Sequence, residues 1–522
     1  MENLDNAYVA LENFVNNFSG FIWGGTWNGA QIMPVGPIAV FLIGIGLYFM
    51  IRLGGRPLLR FGPALAEVWA GRKGNGDPET ITPFQALSTA LSGQVGTGNI
   101  IGVATAITLG GPGAVFWMWV TAILGMALAF AESSLAIKFR ETDEYGRVNG
   151  GPMYYIKNGL GKGWTWLAVL FCLGTLFSAT ATGGMVQANG MTQNIISELS
   201  PFGIEAPTWL LGAIIAALVF VVIIGGIKSI GRVAGNLVPL MAAVYIGACL
   251  VVLVINFQEI PHAFGMIFAS ALGWQSAAGG LAGYAVLSAI RFGISRGLFS
   301  NEAGQGSAPI AHAASQMKNP AVQGEIAMIG VFIDTLILCT MTALVIITAE
   351  GTFATSAEFL ANPDMVAAGL GETTSHLWMS EGVNAATLTN RAFTDALPGP
   401  IGGWIVTACL TLFAFTTIIG WSYYAEQALT YLVGEWATKP FRFVWVIVIF
   451  VGALSQVNFI WLFGDIANAS MAVPNLIAIA MLSGIVVAIH RKNGDPDTVD
   501  GDSVMMDRHG NPYDAAAEAL AE

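Results

Sequence analysis

"SGQVGTGN", Ser92–Asn99, lies inside a run apolar enough to cross a membrane, yet three of its eight residues are glycine and two carry amide side chains. Glycine is among the poorest helix formers. In hydrocarbon every backbone N–H and C=O needs a partner, so irregular backbone survives there only where it lines a cavity or holds something. The stretch recurs as "SNEAGQGS", Ser300–Ser307, in the pattern Ser, any, Gln/Glu, Val/Ala, Gly, any, Gly, Asn/Ser, at an offset of 208 residues. At that offset Pro112 falls on Pro320, each opening a helix. Further on, Pro239 in "NLVPLMAAVYIG" answers Pro474 in "MAVPNLIAIAML", each the midpoint proline of the fifth helix in its half.

Composition sets the solvent around this repeat. Of 522 residues, 55% are hydrophobic and 10% charged, and the mean hydropathy is +0.65. Too little polar surface exists to cover a soluble globule, so the chain reads as an all-α integral membrane protein. A bilayer core takes roughly 20 apolar residues as helix, and eleven such segments are predicted between Met33 and His490. Residues 1–54 form an outer N-terminus and an extra leading helix. A first five-helix repeat spans 82–256 and a second 279–490, interrupted by a long outer stretch at 350–400 that has no counterpart in the first half. The acidic tail, 491–522, is expected to be cytoplasmic, solvated and partly disordered; its "DPDTVDGD" lacks the spacing of a calcium loop. Placing the N-terminus outside puts 18 of the 21 lysines and arginines in inner segments, as the positive-inside rule requires. The expected location is therefore the plasma (inner) membrane of a prokaryote, multi-pass, with the C-terminus cytoplasmic.

Because each half holds an odd number of crossings, the second is inverted in the membrane. Inverted repeats that each open on an interrupted helix are a common build of secondary transporters, and the interruptions mark the binding site. The half-helix starting near Thr97 offers N–H groups and a positive dipole end to a carboxylate, while the half-helix before it ends in carbonyls suited to a cation. Gly93, Gly96 and Gly98 permit the turn and a close ligand. Small-residue helix packing accounts for the glycines but for neither Gln94 nor Asn99. Cys172, Cys249, Cys339 and Cys409 all fall inside predicted spans as apolar packers. Neither metal-ligand histidine spacing nor a phosphate loop nor a nucleophile elbow appears, which leaves an ATP-driven pump or an enzyme unsupported.

"FQALSTALSGQVGTGNIIGVATAITLGGPGAVFWMW", "FAESSLAIKFRE", "GGPMYYIKNGLG", "SRGLFSNEAGQGSAPIAHAA", "GWSYYAEQAL" and "MAVPNLIAI" resemble, in order, the motifs of the alanine or glycine:cation symporter family, also called sodium:alanine symporters, within the amino acid, polyamine and cation superfamily. The resemblance runs from about Arg52 to Ser483. It implies a leucine-transporter-like fold, a 5+5 inverted repeat with the extra helix in front, and sodium-coupled import of small neutral amino acids, alanine or glycine, by alternating access. No organic cofactor and no nucleic-acid partner are implied; Na⁺, the amino acid and membrane lipid are.

The same resemblance places a Na⁺ site at Ser92, Val95, the Phe413 carbonyl, Thr416 and Thr417, between the first break and the eighth core helix. The substrate carboxylate should meet N–H groups of Thr97, Gly98 and Asn99, and the ammonium should meet carbonyls near Ser300 or Thr417. Trp421, Phe299 and Gln187 should wall the pocket, with Asn301 beside the second break. Intramembrane charges are functional suspects by default. Glu302, in the second break, is the strongest; Gln94, Arg291 and Asp465 are candidates for coupling or gating. Glu132, Glu426 and Asp334 are balanced between function and ion pairs that lock helices together. A symporter for another solute, or one coupled to H⁺ through Glu302, is the nearest alternative. A channel or sensor is remote, since neither a filter motif nor a signalling domain is visible. The sequence carries no signal for oligomeric state.

Overall fold

A computed structural model describes residues 2–33, 35–72, 80–143, 147–273, 280–349, 385–455 and 457–492, with 505–506 and 512–513 of the tail. The leading helix is α1, Pro37–Arg52. The first half comprises α2, broken into Pro83–Gln94 and Ile101–Gly110, then α3, Gly113–Lys138, and α4, Lys162–Phe202. It closes with α5, Thr208–Ile223, and α6, Gly226–Ile255. The second half comprises α7, broken into Gly280–Asn301 and Ala308–Ala313, α8, Pro320–Thr348, and α9, Ile401–Val433. It ends with α10, Thr438–Leu454, and α11, Val457–Met481. Seven helices among the described residues are long and apolar enough to cross a membrane, and α1, Thr97–Gly110 and α5 are shorter apolar helices.

Local chemistry starts these helices where the sequence puts a cap. Thr82 and Gln85 form a reciprocal capping box at the head of α2, with Gln85 N–H donating to Thr82 Oγ1 at 3.1 Å and Thr82 N–H to Gln85 Oε1 at 3.0 Å. Asn319 caps α8, its Oδ1 accepting the Ala321 N–H at 2.9 Å, with Pro320 as first helical residue. Pro239 and Pro474 both sit within continuous helices. Gly174 lets α4 meet α11 backbone to backbone: a Cβ there would lie 2.7 Å from the Ser470 carbonyl.

The broken helices form the centre. Between Pro83 and Ile107 nearly every residue is buried, whereas α5 and α6 present Leu218, Val221, Leu240, Val244, Val251 and Val254 outward. A chain in water would bury such a face; here it is the surface offered to lipid.

Gly280–Asn301 is one continuous helix, packed along the second half of α2 through Ser288 Oγ, which donates to Leu109 O at 2.9 Å. Within the stretch 350–400, residues 350–384 lie outside the described residues, but Ala385–Ala396 is a helix. Asn390 ties it to the bundle, its Nδ2 donating to Glu198 Oε1 at 2.8 Å and Thr407 Oγ1 at 2.9 Å. Of the tail, residues 493–504 lie outside the described residues; Met505–Met506 pairs in parallel with Glu141–Thr142 of the loop after α3.

Candidate functional site: two helix breaks and the elements that face them

At the first break the helix stops at Gln94. Val95 is extended, Gly96 follows at φ −138° and ψ −150°, and Thr97–Asn99 makes one 3₁₀ turn before helix resumes at Ile101. A Cβ on Gly96 would lie 2.5 Å from Thr417 Oγ1 and 2.8 Å from Gln187 Oε1, and one on Gly98 2.9 Å from Phe299 Cδ1. The glycines thus admit α4, α7 and α9 to the bare backbone.

Freed backbone groups must find partners, and here side chains supply them. Asn99 Oδ1 accepts the Gly96 N–H at 2.9 Å. Gln187 Oε1 accepts the Thr97 N–H at 2.9 Å, and the Asn99 N–H donates to Gly96 O at 3.3 Å. Two of the three N–H groups expected to await a carboxylate therefore hold internal acceptors. Thr97 Oγ1 and Gln94 Oε1 are buried with no hydrogen-bond partner among the described residues.

The oxygens assigned to a cation come together. Thr417 Oγ1 lies 3.1 Å from Val95 O and 3.0 Å from Phe413 O. Thr416 Oγ1 donates to Phe413 O at 2.9 Å and reaches the Met241 thioether on α6 at 3.6 Å. The Ser92 hydroxyl turns back to Thr89 O at 2.7 Å, close enough to α9 that a Cβ on Gly420 would touch it at 2.7 Å.

The second break is unwound by left-handed backbone: Glu302 at φ 57°, Gly304 at 86° and Gly306 at 85°. A non-glycine residue there costs roughly 1–3 kcal/mol and is held only by its surroundings. Glu302 is 1% exposed and accepts the Ser307 hydroxyl at 2.6 Å. Asn301 caps the turn, accepting the Ala303 N–H at 3.0 Å and donating to Thr335 Oγ1 at 3.2 Å. Gln94 joins the breaks directly, its Nε2 donating to Asn301 O at 2.9 Å.

Asp334, on α8, is the residue the sequence reading left out of the site. Its Oδ1 accepts Asn99 Nδ2 at 2.6 Å, and its Oδ2 accepts Ser300 Oγ at 2.7 Å and Thr335 Oγ1 at 2.8 Å. One fully buried carboxylate thereby bridges both breaks, with the Cys339 thiol 3.2 Å from Ser300 Oγ. The signal available in sequence was a charge inside a span. Glu132 belongs to the second break as well: it accepts Asn475 Nδ2, which also donates to Gly304 O at 2.9 Å. Glu426, by contrast, pairs with Arg442 at 2.9 Å.

Among the gating candidates, Asp465 meets Arg296, at 2.9 Å, with both side chains nearly buried. Arg291 lies instead along the N-terminal segment, where a Cβ on Gly24 would touch its Cδ at 2.6 Å; Trp23 Nε1 of that segment donates to Asp465 O at 3.2 Å. Phe299 lies under Arg296, whose guanidinium is 5.8 Å from the ring centroid. Trp421 is buried, its Nε1 donating to Gly93 O at 3.3 Å, and its ring stands edge-on to Tyr424 at 5.4 Å.

The sodium:alanine symporter family model matches residues 10–498. The chain belongs to that family. The symporter is 41% identical over 484 residues to the sodium/alanine symporter AgcS of Methanococcus maripaludis, covering 92% of this chain and 96% of the relative. It is 35% identical over 456 residues to the probable sodium/glutamine symporter GlnT of Bacillus subtilis, 86% of each chain being covered. Its fold is shared with MhsT, solved in complex with L-phenylalanine, at a TM-score of 0.53 and 15% identity, over 83% of this chain and 95% of that one. The symporter is thus a membrane protein of leucine-transporter-like fold, from a family that moves amino acids with a cation.

Proposed function

We propose that the chain imports small neutral amino acids, alanine or glycine, driven by Na⁺, through alternating access in a prokaryotic plasma membrane with the N-terminus outside. The observation that carries this reading is Thr417 Oγ1 at 3.1 Å from Val95 O and 3.0 Å from Phe413 O. Hard cations take oxygen ligands, and one of the three, Val95 O, lies at the C-terminus of the first half-helix, the negative end of its dipole. An entering Na⁺ replaces the hydroxyl's hydrogen bonds with coordination by the same three oxygens. The amino acid carboxylate exchanges with the Gln187 amide oxygen at the Thr97 N–H, at the start of the half-helix whose positive end favours an anion. The ammonium takes carbonyls near Ser300 and Thr417. Asp334, buried and shared by Asn99 and Ser300, supplies the negative charge that a second cation would balance. Trp421 and Phe299 limit side-chain size.

Labelled alanine uptake into proteoliposomes tests the reading, with an inward Na⁺ gradient, an inward H⁺ gradient, or neither. Uptake is expected with Na⁺ alone and should survive collapse of the pH gradient. Equal uptake from a proton gradient in sodium-free buffer overturns it in favour of H⁺ coupling, the second reading, which the burial of Glu302 beside Ser307 supports.

A further inference from the structure

We propose that Gly183 is a specificity-determining residue: its missing side chain sets how deeply Trp421 sits, and so whether the pocket takes a methyl group. The inference rests on Trp421 forming the pocket wall. Gly183 lies in the π-helical turn Ala179–Val186 of α4, a type of irregularity frequent at functional sites. A Cβ built on it would fall 2.6 Å from Trp421 Cδ2 and nearer still to Cγ and Cβ. Those atoms form the root of the indole and the side-chain stem, so rotation of a flexible end cannot clear them. The ring therefore rests directly on backbone.

Its other sides are fixed. The indole N–H is tied to Gly93 O at 3.3 Å and Tyr424 stands edge-on at 5.4 Å. Tyr424 in turn has no slack against α2, since a Cβ on Gly93 would lie 2.8 Å from its hydroxyl. A methyl at position 183 pushes the indole away from α4, toward the first break and the space assigned to the substrate. Glycine, with no side chain, still fits; alanine then competes with the ring for the same volume. The neighbouring Gly184 is a built-in control. A Cβ there would meet the ends of Ile449 and Val448 on α10, at 3.3 Å, and the Ala179 carbonyl at 3.4 Å, with no Trp421 atom among its three nearest neighbours.

The test compares glycine and alanine uptake, as KM and maximal rate, in wild type, Gly183→Ala, Gly184→Ala, Trp421→Phe and Gly183→Ala/Trp421→Phe, each normalised to protein in the membrane. Overfilling a packed site typically costs enough for a loss of about tenfold or more. Gly183→Ala should raise the alanine KM at least about tenfold relative to the glycine KM, with maximal rates little changed, and Gly184→Ala should leave the ratio as in wild type. In the double variant Phe keeps the Cβ and Cγ that the new methyl displaces, but its ring is smaller and free of the Gly93 hydrogen bond. It can therefore shift with its stem and still leave the substrate's methyl its volume, which should bring the ratio back. If Gly183→Ala does not reach the membrane, the double variant must do so with a near wild-type ratio. Equal loss of both substrates in Gly183→Ala, or a double variant that recovers neither folding nor the ratio, overturns the proposal. If Trp421→Phe alone leaves the selectivity against larger amino acids unchanged, the wall reading fails. A Gly183→Ala effect that persists unrescued in that background overturns this inference separately.

Discussion

Asp334 shows what a single buried carboxylate can do between two unwound helices. Its three donors come from Asn99 on one break, Ser300 at the other and Thr335 beside it. Removing the carboxylate leaves those donors without their acceptor, and a lost hydrogen bond to a charged group costs roughly 1.5–3 kcal/mol. Asp334→Ala and Asn99→Ala are expected to abolish uptake while leaving protein in the membrane, as measured by transport and by quantified membrane expression; parallel loss of expression contradicts this. Thr417 offers a finer test, because valine keeps its shape and removes one oxygen. In Thr417→Val the Na⁺ concentration for half-maximal uptake should rise about tenfold, the equivalent of ~1.4 kcal/mol, with the maximal rate recovered at high Na⁺. A lower maximal rate at unchanged Na⁺ dependence assigns Thr417 to packing instead.

For the broken helix as an element, two glycines six residues apart make opposite predictions. A methyl on Gly96 would collide with Thr417 Oγ1 and Gln187 Oε1, whereas one on Gly102 meets nothing within 4 Å. Gly102 lies in regular helix, where alanine is better than glycine by roughly 0.5–1 kcal/mol. Gly102→Ala should therefore keep full uptake and raise the melting temperature in detergent slightly, while Gly96→Ala should transport nothing. Both breaks were legible in the sequence, because glycine density inside an apolar run and its recurrence are local facts. The pairing of Gln187 with Thr97 was not, since that contact joins residues 90 positions apart. The sequence reading also took Thr97 N–H as open, for it counted donors on the helix without the amide that α4 brings to them.

Across the whole molecule the helix α7 and the residues that follow it make contacts on either side of the breaks. Toward the expected outer face Arg296 on α7 meets Asp465 on α11. Toward the expected inner face, Ile81 at the head of α2 exchanges backbone hydrogen bonds with the far end of α7, its N–H donating to Ala314 O at 3.0 Å and its carbonyl accepting from Gln316 at 2.8 Å. Breaking a buried pair by removing one partner strands a charge and costs about 3–5 kcal/mol, whereas replacing both with apolar residues costs much less. Asp465→Leu should accordingly lower the melting temperature markedly, and Arg296→Leu/Asp465→Leu should recover most of it. If the pair is a gate, the double variant should also admit a membrane-impermeant thiol reagent from outside to a cysteine placed at position 299, which the wild-type background excludes. Similar melting temperatures for single and double variants contradict the buried-pair assignment.

The sequence by itself determined the solvent, the order of the helices and the two interruptions, which follow from hydropathy and from glycine and proline placement, properties of neighbours along the chain. The cation oxygens of Val95, Phe413 and Thr417 entered as candidates through the family resemblance. Only the tertiary structure decided which intramembrane charges serve the breaks and which lock helices: Asp334 and Glu132 the former, Glu426 with Arg442 the latter. It likewise gave Asp465 its ion-pair partner, Arg296, from α7. The reason is geometric. A charge or amide inside a membrane must be satisfied, but the chain does not say by whom, because the partner arrives from another helix whose rotation is fixed by packing.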